Sequence, residues 1–208
     1  MKKIFFVVLS LFVVISSSVK AQIHFEIGAG YLNTLNNNDI FIHTDGGWQV
    51  GGTIFYELSD AFELKTSLLY QSRFFDSNSF SFVVPAVVGV SIPTVSGGDN
   101  LNSLGVAIGG RLKTKSDKIV KPVLEVDVGI NYYQDSYYDL KYVNGGIVTS
   151  VQREKYFDSR VLFETSLGFG FEVTPLETFS IILEGRANYI TVEQNVYFPV
   201  IVNLRFGI

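Results

Sequence analysis

The chain has 208 residues, no cysteine, and 20 acidic against 16 basic residues, which gives a net charge of −4. Without cysteine it has no disulfide, no thiolate metal site and no lipid anchor of the lipoprotein type. The acidic balance argues against nucleic acid as a partner, because proteins that bind nucleic acid carry basic patches.

The first 21 residues have the pattern of a secretory signal peptide. Lysines precede an apolar run from Ile4 to Ile15, and Val19-Lys20-Ala21 resembles a small-x-small cleavage site. The alternative is a transmembrane anchor, but the apolar run is short for that role. We therefore predict a signal peptide over 1–21 and one domain over 22–208, with a net charge of about −7 after cleavage.

Eight segments with alternating apolar residues follow, each about ten residues long or slightly longer. This is the length that a tilted strand needs to cross a bilayer. In chain order the segments are 23–31, 48–58, 62–73, 101–112, 122–133, 160–173, 179–191 and 195–208. No later segment has the apolar length of a transmembrane helix.

The connections between these segments alternate in length. Short turns are predicted at 59–61, 113–121 and 174–178, and long loops at 32–47, 74–100 and 134–159. The last connection, around 192–194, is short where a long one is expected. Short turns on one side and long loops on the other are typical of outer-membrane barrels.

The two faces of the predicted strands differ in charge. In the segment 160–173, one face carries Phe163, Phe169 and Phe171, and the other carries Glu164 and Glu172. A soluble sandwich with an aromatic core would bury the first face. We prefer the reverse, in which the apolar face meets lipid and the charged face lines a narrow lumen. The fold class predicted is all-β: an eight-stranded antiparallel up-and-down transmembrane β-barrel.

Aromatic residues at both ends of the apolar face support this interpretation. The loop-side set is Tyr31, Trp48, Tyr70, Tyr132 and Tyr189, and the turn-side set is Tyr56, Phe62, Phe171, Phe179 and Phe206. Barrels place such girdles at their two membrane interfaces.

The inward face carries a nearly balanced set of charges, which predicts a structural network of ion pairs. An unpaired charge buried in a lumen costs several kcal/mol, so these groups should pair rather than act as acid–base catalysts. Arg186 is expected to pair with at least one of the acids, and Glu164 lies across one strand junction from it. The predicted network is Glu26, Lys65, Arg111, Glu125, Asp127, Glu164, Glu184, Arg186 and Arg205.

The residues also carry a resemblance to a known family. Its carriers are IHFEIGAGY (23–31), the block from SLGVAIGG to INYY (103–133), FETSLGFGFEV (163–173), LEGRANYIT (183–191) and VNLRFGI (202–208). They are similar to small outer-membrane β-barrels of the OmpA/OmpX-like type, in particular the PorT-like barrel domain. The chain ends on Ile208, whereas the family usually ends on an aromatic residue, so Phe206 would carry the assembly signal.

This resemblance implies an eight-stranded barrel in the outer membrane of a Gram-negative-type bacterium. The implied partners are outer-membrane lipid and, during insertion, the barrel-assembly machinery. Such patterns specify fold rather than function, so the resemblance transfers no functional residue.

Histidine supplies the few candidates for chemistry. His24 lies on the inward face, and His43 lies in a loop near Asp39 and Asp45. A triad or metal site at His43 is weighed against a solvated loop histidine, which we prefer. We expect no catalytic, metal or cofactor site and a structural or surface-interaction role. The alternatives are a porin-like pore for small solutes and an enzyme that modifies lipid.

Two long loops have unusual composition. Asn144-Gly145 is typical of a type I′ turn, so 134–159 is predicted to protrude as a hairpin with Tyr137, Tyr138, Tyr142 and Tyr156. These tyrosines would either contact a protein or surface ligand, or pack the hairpin on its neighbours. The apolar segment 80–93 is predicted to fold over the barrel mouth or rest in the interface. Pro85 and Pro93 argue against a ninth barrel strand there.

Overall fold

A computed structural model of the chain describes residues 22–34, 42–80, 92–114, 119–144, 147–176, 179–191 and 195–207. The predicted signal peptide and most of the apolar segment 80–93 lie outside these residues. The strands are β1 Ile23–Thr34, β2 Thr44–Ser59, β3 Phe62–Phe75, β4 Ile92–Gly98, β5 Leu101–Lys113, β6 Val120–Tyr133, β7 Ser136–Asn144, β8 Ile147–Phe157, β9 Arg160–Leu176, β10 Phe179–Ile190 and β11 Asn195–Gly207. A short 3₁₀ helix covers Ser77–Ser79.

The predicted fold class is confirmed. Eight strands close into one antiparallel barrel in the order β1-β11-β10-β9-β6-β5-β3-β2. The first and last strands close it, with Glu26 opposite Arg205. All eight predicted segments are barrel strands, and several extend further toward the loops than the alternation predicted. Among the described residues, no helix is long and apolar enough to span a membrane.

The barrel exposes its apolar face and buries its charged face. On the outside, Ile27 is 65% exposed and Phe169 is 55% exposed, whereas Arg111 on the inside is 0% exposed. A sheet that buries charge and exposes aliphatic and aromatic side chains matches hydrocarbon outside, and the closed ladder satisfies its backbone groups.

A second sheet stands beyond the barrel at the loop side, and we call it the outer sheet. Its strands lie in the order β4-β7-β8. The hairpin of β7 and β8 falls within the predicted 134–159 protrusion, although Gly145 of its turn lies outside the described residues. Strand β4 was not predicted, because Pro93, Gly97 and Gly98 are poor strand residues. It pairs with β7 in the outer sheet and is no ninth barrel strand.

A cluster of apolar side chains lies in the loop-side half of the lumen, beside the buried guanidinium of Arg73, which is 4.3 Å from the centre of the Tyr197 ring. We call this cluster the apolar plug. Its members are all at least 97% buried: Leu32, Leu101, Tyr133, Phe157, Leu162, Ile190 and Tyr197. Phe157 comes from β8, so the outer sheet contributes to the plug. This layer was not predicted from sequence, because the inward face was identified by its charged residues alone.

Glycines on the inward face leave room for neighbouring oxygen atoms. A Cβ added to Gly109 would overlap the carboxylate of Asp127 and the backbone carbonyl oxygen of Val126. A Cβ added to Gly185, which is exposed on the outer face, would have nothing within 4 Å. Glycine is therefore a packing requirement at position 109 but not at position 185.

Gly109→Ala is accordingly expected to lower the free energy of unfolding by roughly 1–3 kcal/mol, the scale of overpacking. Gly185→Ala is the matched control and should change it by less than about 0.5 kcal/mol. Urea titration of both variants in lipid vesicles measures the difference. A Gly109→Ala barrel as stable as the control would contradict the tight lumen packing.

Candidate functional site

The turn-side mouth of the lumen is lined by a chain of ion pairs. The Lys113 ammonium lies 2.8 Å from Glu63 and 3.2 Å from Glu57. His24 Nε2 lies 3.1 Å from the Glu57 carboxylate. Arg205 Nη1 donates to Glu63 at 2.9 Å and lies 3.6 Å from Glu26, which links the mouth to the interior. A polar cavity of about 170 Å³ opens beside these groups.

Three residues at this mouth are of types that can act as metal ligands. His24, Glu57 and Glu63 each place one ligand-type atom within 4.8 Å of the others. The Lys113 ammonium already contacts both carboxylates there. A lysine cation thus supplies the positive charge that a metal ion would bring, and the arrangement is that of an ion-pair cluster.

Arg111 lies at the centre of the buried charges. Its Nη2 donates to Glu26 at 2.8 Å, its other nitrogen atoms contact Glu26 and Glu125, and its guanidinium lies 4.0 Å from the centre of the Phe55 ring. Two carboxylates and an aromatic face surround a cation that has no access to bulk water, which is the arrangement that a buried guanidinium requires.

Arg186 connects the next layer. Its guanidinium lies 2.8 Å from Glu125, 3.1 Å from Asp127 and 2.8 Å from Glu184. Lys65 contacts Glu125 and lies 2.8 Å from Asp127. Eight of the nine predicted network residues therefore lie in one connected set.

Arg186 contacts three of the acids with which it was expected to pair, and Glu164 is not one of them. In the β9–β10 ladder Arg186 lies opposite Gly168, whereas Glu164 lies opposite Ile190, four positions further along. Glu164 instead accepts hydrogen bonds from Asn131 at 2.6 Å, Asn188 at 2.7 Å and Tyr197 at 2.7 Å. Three neutral donors thus contact this carboxylate directly, and Arg186 does not.

Several residues of this interior were missed from sequence. Glu57 and Glu63 share the inward face of their strands but are not in the predicted network, and Lys113 was assigned to a turn. Lys113 lies two positions after Arg111, so the same alternation places it on the inward face and could have identified it as a member of the network. Asn131, Asn188 and Tyr197 carry no charge, so a search for charges passed over them.

The gaps around Arg186 are small. A cavity of about 20 Å³ is lined by Asp127, Asn131, Glu164 and Arg186, and one of about 10 Å³ is lined by Gln49, Arg186 and Asn203. Each has room for about one water molecule. As lined by the described residues, neither gap has room for a solute larger than water.

His43 is not the solvated loop histidine that the sequence analysis preferred. Its ring stacks on Phe80 at 3.8 Å and lies 5.9 Å from the Tyr156 ring. Its Nδ1 lies 2.8 Å from Ser79 Oγ, and Ser79 Oγ in turn donates to the Asp76 carbonyl at 2.7 Å. Because the single hydroxyl proton goes to that carbonyl, His43 Nδ1 donates to Ser79.

This geometry does not make a base–nucleophile pair, since a general base must accept the serine proton. Asp39, the first acid considered for a triad, lies outside the described residues, and Asp45 is exposed. His43, Ser79 and Phe80 instead form a contact, here called the histidine clamp, between the start of β2, the 3₁₀ helix and the outer sheet.

Burial lowers the pKa of His43, with Asp76 opposing the shift in part. The folded state therefore disfavours the imidazolium, and the clamp is most stable above the ordinary pKa of about 6.5. Below that value, His43 binds a proton more readily in the unfolded state than in the folded state. The free energy of unfolding of the clamp therefore declines until the pH falls below the pKa of His43 in the folded state. We expect the outer sheet to loosen between pH 7.5 and pH 5.

Because the chain has no cysteine, a spin label on Val151→Cys can report this loosening through its mobility. His43→Gln should remove the pH dependence, whereas His24→Gln should keep it. A label whose mobility is the same at both pH values in the otherwise unchanged chain would refute the clamp's sensitivity to acid.

The sequence left open whether the hairpin tyrosines contact a ligand or pack the hairpin on its neighbours, and the structure differs from one tyrosine to the next. Tyr138 packs on Phe80 at 4.5 Å, and Tyr156 packs on Phe75 at 5.5 Å and donates to the Asp99 carbonyl at 2.7 Å. Burial raises the pKa of Tyr156 to about 12. Tyr137 lies instead between two cations, 5.3 Å from Arg153 and 5.6 Å from Lys155. Packing thus accounts for Tyr138 and Tyr156 but not for Tyr137.

Comparison with known proteins supports the architecture. Neisserial surface protein A is 13% identical, with 89% of this chain and 96% of that chain aligned and a TM-score of 0.51. A major outer-membrane protein of Thermus thermophilus is 10% identical, with 91% of this chain and 100% of that chain aligned and a TM-score of 0.54. No protein-family model and no curated protein matches the chain. The chain therefore has the fold of the small outer-membrane β-barrels.

Proposed function

We propose that the chain is an integral outer-membrane protein that displays the outer sheet at the cell surface for interaction with another molecule. In this proposal the predicted signal peptide exports the chain from the cytoplasm of a Gram-negative-type bacterium. The barrel-assembly machinery then inserts it, and outer-membrane lipid surrounds it. The lumen serves as a filled, structural core.

The observation that carries this proposal is the combination of a filled lumen with an ordered, exposed outer sheet. Strand β8 exposes Ile147 by 71% and Val151 by 56%, beyond the barrel strands whose apolar residues face lipid. Apolar residues that face water in a group are typical of interaction surfaces. Tyr137, with Arg153 and Lys155 beside it, adds the aromatic and cationic groups that such surfaces favour.

The filled lumen is also the reason for ranking a pore below this role. The charged layer and the apolar plug leave water-sized gaps around Arg186. Purified protein in planar bilayers should accordingly give no stable openings on the nanosiemens scale. Regular openings of that size would replace the surface role with a pore.

Membrane orientation can be tested with single cysteines on intact cells. Val151→Cys on the outer sheet should react with a membrane-impermeant maleimide, and Asp60→Cys in the β2–β3 turn should react only after the outer membrane is permeabilised. Labelling of Asp60→Cys alone on intact cells would reverse the orientation and overturn the proposal.

The interaction itself can be tested by a photo-crosslinking amino acid placed at Val151 in living cells. We expect a defined adduct from this position. Lys121, near the turn side, is the matched control and should not give the same adduct. Identical products from the two positions, or none from Val151, would leave the barrel without its proposed surface role.

A further inference from the structure

The polar cavity at the turn-side mouth of the lumen is large enough for a small organic molecule. Its volume of about 170 Å³ is close to that of about six water molecules in the liquid. Residues of β1, β2, β5, β6, β9, β10 and β11 line it. It is separate from the outer sheet and from the water-sized gaps around Arg186.

A buried carboxylate that lines this cavity has no direct partner among the described residues. Glu172 on β9 is 6% exposed, and no hydrogen bond or ion pair within the described part of the chain reaches it. Its oxygen atoms are not fully enclosed, so a molecule in the cavity can reach them. A buried carboxylate is unfavourable unless a cation or a hydrogen-bond donor approaches it. Glu172 therefore favours a positively charged group in the cavity.

The cations around the cavity differ in whether they already have partners. Lys113 and Arg205 both contact Glu63. Lys121, in contrast, has no hydrogen bond or ion pair with any residue that the structure describes, although it lies opposite Glu172 in the β6–β9 ladder. The cavity thus presents an ammonium and a carboxylate on neighbouring strands that do not contact each other.

These two groups favour a ligand that carries both charges. A ligand with a single charge would pair with one of them and leave the other without a partner in a partly dry cavity. A zwitterion pairs with both and adds no net charge to the lumen. The hydroxyl groups of Thr174 and Ser180, 3.0 Å apart at the cavity wall, can hydrogen-bond to either end of such a molecule.

We propose that this cavity binds a small zwitterionic amino acid, such as glycine or alanine, with its ammonium group at Glu172 and its carboxylate at Lys121. Facing positions on neighbouring antiparallel strands have Cβ atoms about 5 Å apart. One small molecule whose two charged groups share a carbon atom can therefore bridge both side chains. In the proposed orientation the cavity opens to the periplasm, which would be the source of the amino acid. Binding by the purified protein does not depend on that orientation.

Isothermal titration calorimetry of the full mature chain in detergent micelles tests this inference with three ligands. L-Alanine carries both charged groups, ethylamine lacks the carboxylate and propionate lacks the ammonium group. Alanine should bind saturably, and each analogue should bind at least about tenfold more weakly, because it leaves Lys121 or Glu172 unpaired. No saturable binding of alanine up to about 10 mM would mean that the two side chains satisfy each other, and it would overturn the inference. Equal binding of the three ligands would overturn it as well.

Two variants assign the contacts to the two side chains. Glu172→Gln and Lys121→Met should each weaken alanine binding by at least about tenfold. Glu172→Gln should bind propionate no more weakly than the unchanged chain does, and Lys121→Met should bind ethylamine no more weakly. The matched controls on the outer sheet, Glu154→Gln and Lys141→Met, should bind alanine as the unchanged chain does.

Uniform losses of all three ligands in either variant would show a general structural effect and overturn the assigned contacts. If a variant fails to fold, as judged by unchanged gel mobility on boiling, the comparison of the three ligands on the unchanged chain decides the result. The cysteine labelling described above is independent of this test. Reversed labelling refutes the proposed function, whereas normal labelling without selective binding of alanine refutes only the amino-acid site.

Discussion

Phe169→Arg is expected to lower the free energy of unfolding by about 2–4 kcal/mol, the scale for a cation near the middle of a membrane on a barrel surface. Phe169 is 55% exposed on β9, between Leu124 of β6 and Gly185 of β10, and its ring contacts Phe171 at 5.2 Å. Within the described residues of these neighbouring strands, no anion faces the same side. Urea titration of the barrel folded in lipid vesicles measures the change in the free energy of unfolding.

Glu164→Gln provides the comparison on the inward face and should cost less. The donors at Glu164 include the side-chain amides of Asn131 and Asn188, whose oxygen atoms have no hydrogen-bond partner among the described residues. Rotation of either amide would present an acceptor to the new glutamine. Equal losses at Phe169 and Glu164 would mean that the assignment of the two faces is wrong.

Most of the barrel follows from local sequence, because the alternation of apolar residues and the lengths of the connections both depend on neighbouring positions. The segment 160–173 illustrates this: its Phe163, Phe169 and Phe171 all face outward in β9. A period of two assigns the face of every residue once the inside of the barrel is known.

The partners within the lumen could not be predicted in the same way. Which carboxylate Arg186 meets depends on the stagger between strands and on how far its long side chain reaches across the lumen. Asp127 lies on β6, which is not adjacent to β10, yet it is 3.1 Å from Arg186. The acids on an adjacent strand, such as Glu164 on β9, were therefore a poor guide to the partners of Arg186.

The loop side was harder still, because its order comes from contacts between distant segments. Strand β4 has weak strand residues and is formed through pairing with β7. The histidine clamp joins His43 to Ser79, which are 36 positions apart. Neither contact has a periodic signature in the sequence.

Arg186→Met should destabilise the barrel by about 3–5 kcal/mol, the scale for removing one partner from a buried ion pair. Glu184 is 1% exposed, and Arg186 is the cation it contacts in the described part of the chain, with Nε 2.8 Å from its carboxylate. Glu125 and Asp127 keep Lys65 when Arg186 is lost, and Glu125 also keeps Arg111. The main loss is therefore an unpaired charge at Glu184.

Combining Arg186→Met with Glu184→Gln should restore part of that stability, because the second change removes the charge that the first leaves unpaired. The double-mutant cycle should thus show a strong coupling between these two residues. The cycle of Arg186→Met with Glu164→Gln should be nearly additive, because Glu164 is held by neutral donors and does not contact Arg186. Equal coupling in the two cycles would mean that the lumen charges interact as a diffuse field rather than through the observed contacts. Additivity in both cycles would mean that the charges are independently solvated. The ion pairs would then no longer explain why the lumen is blocked to solutes.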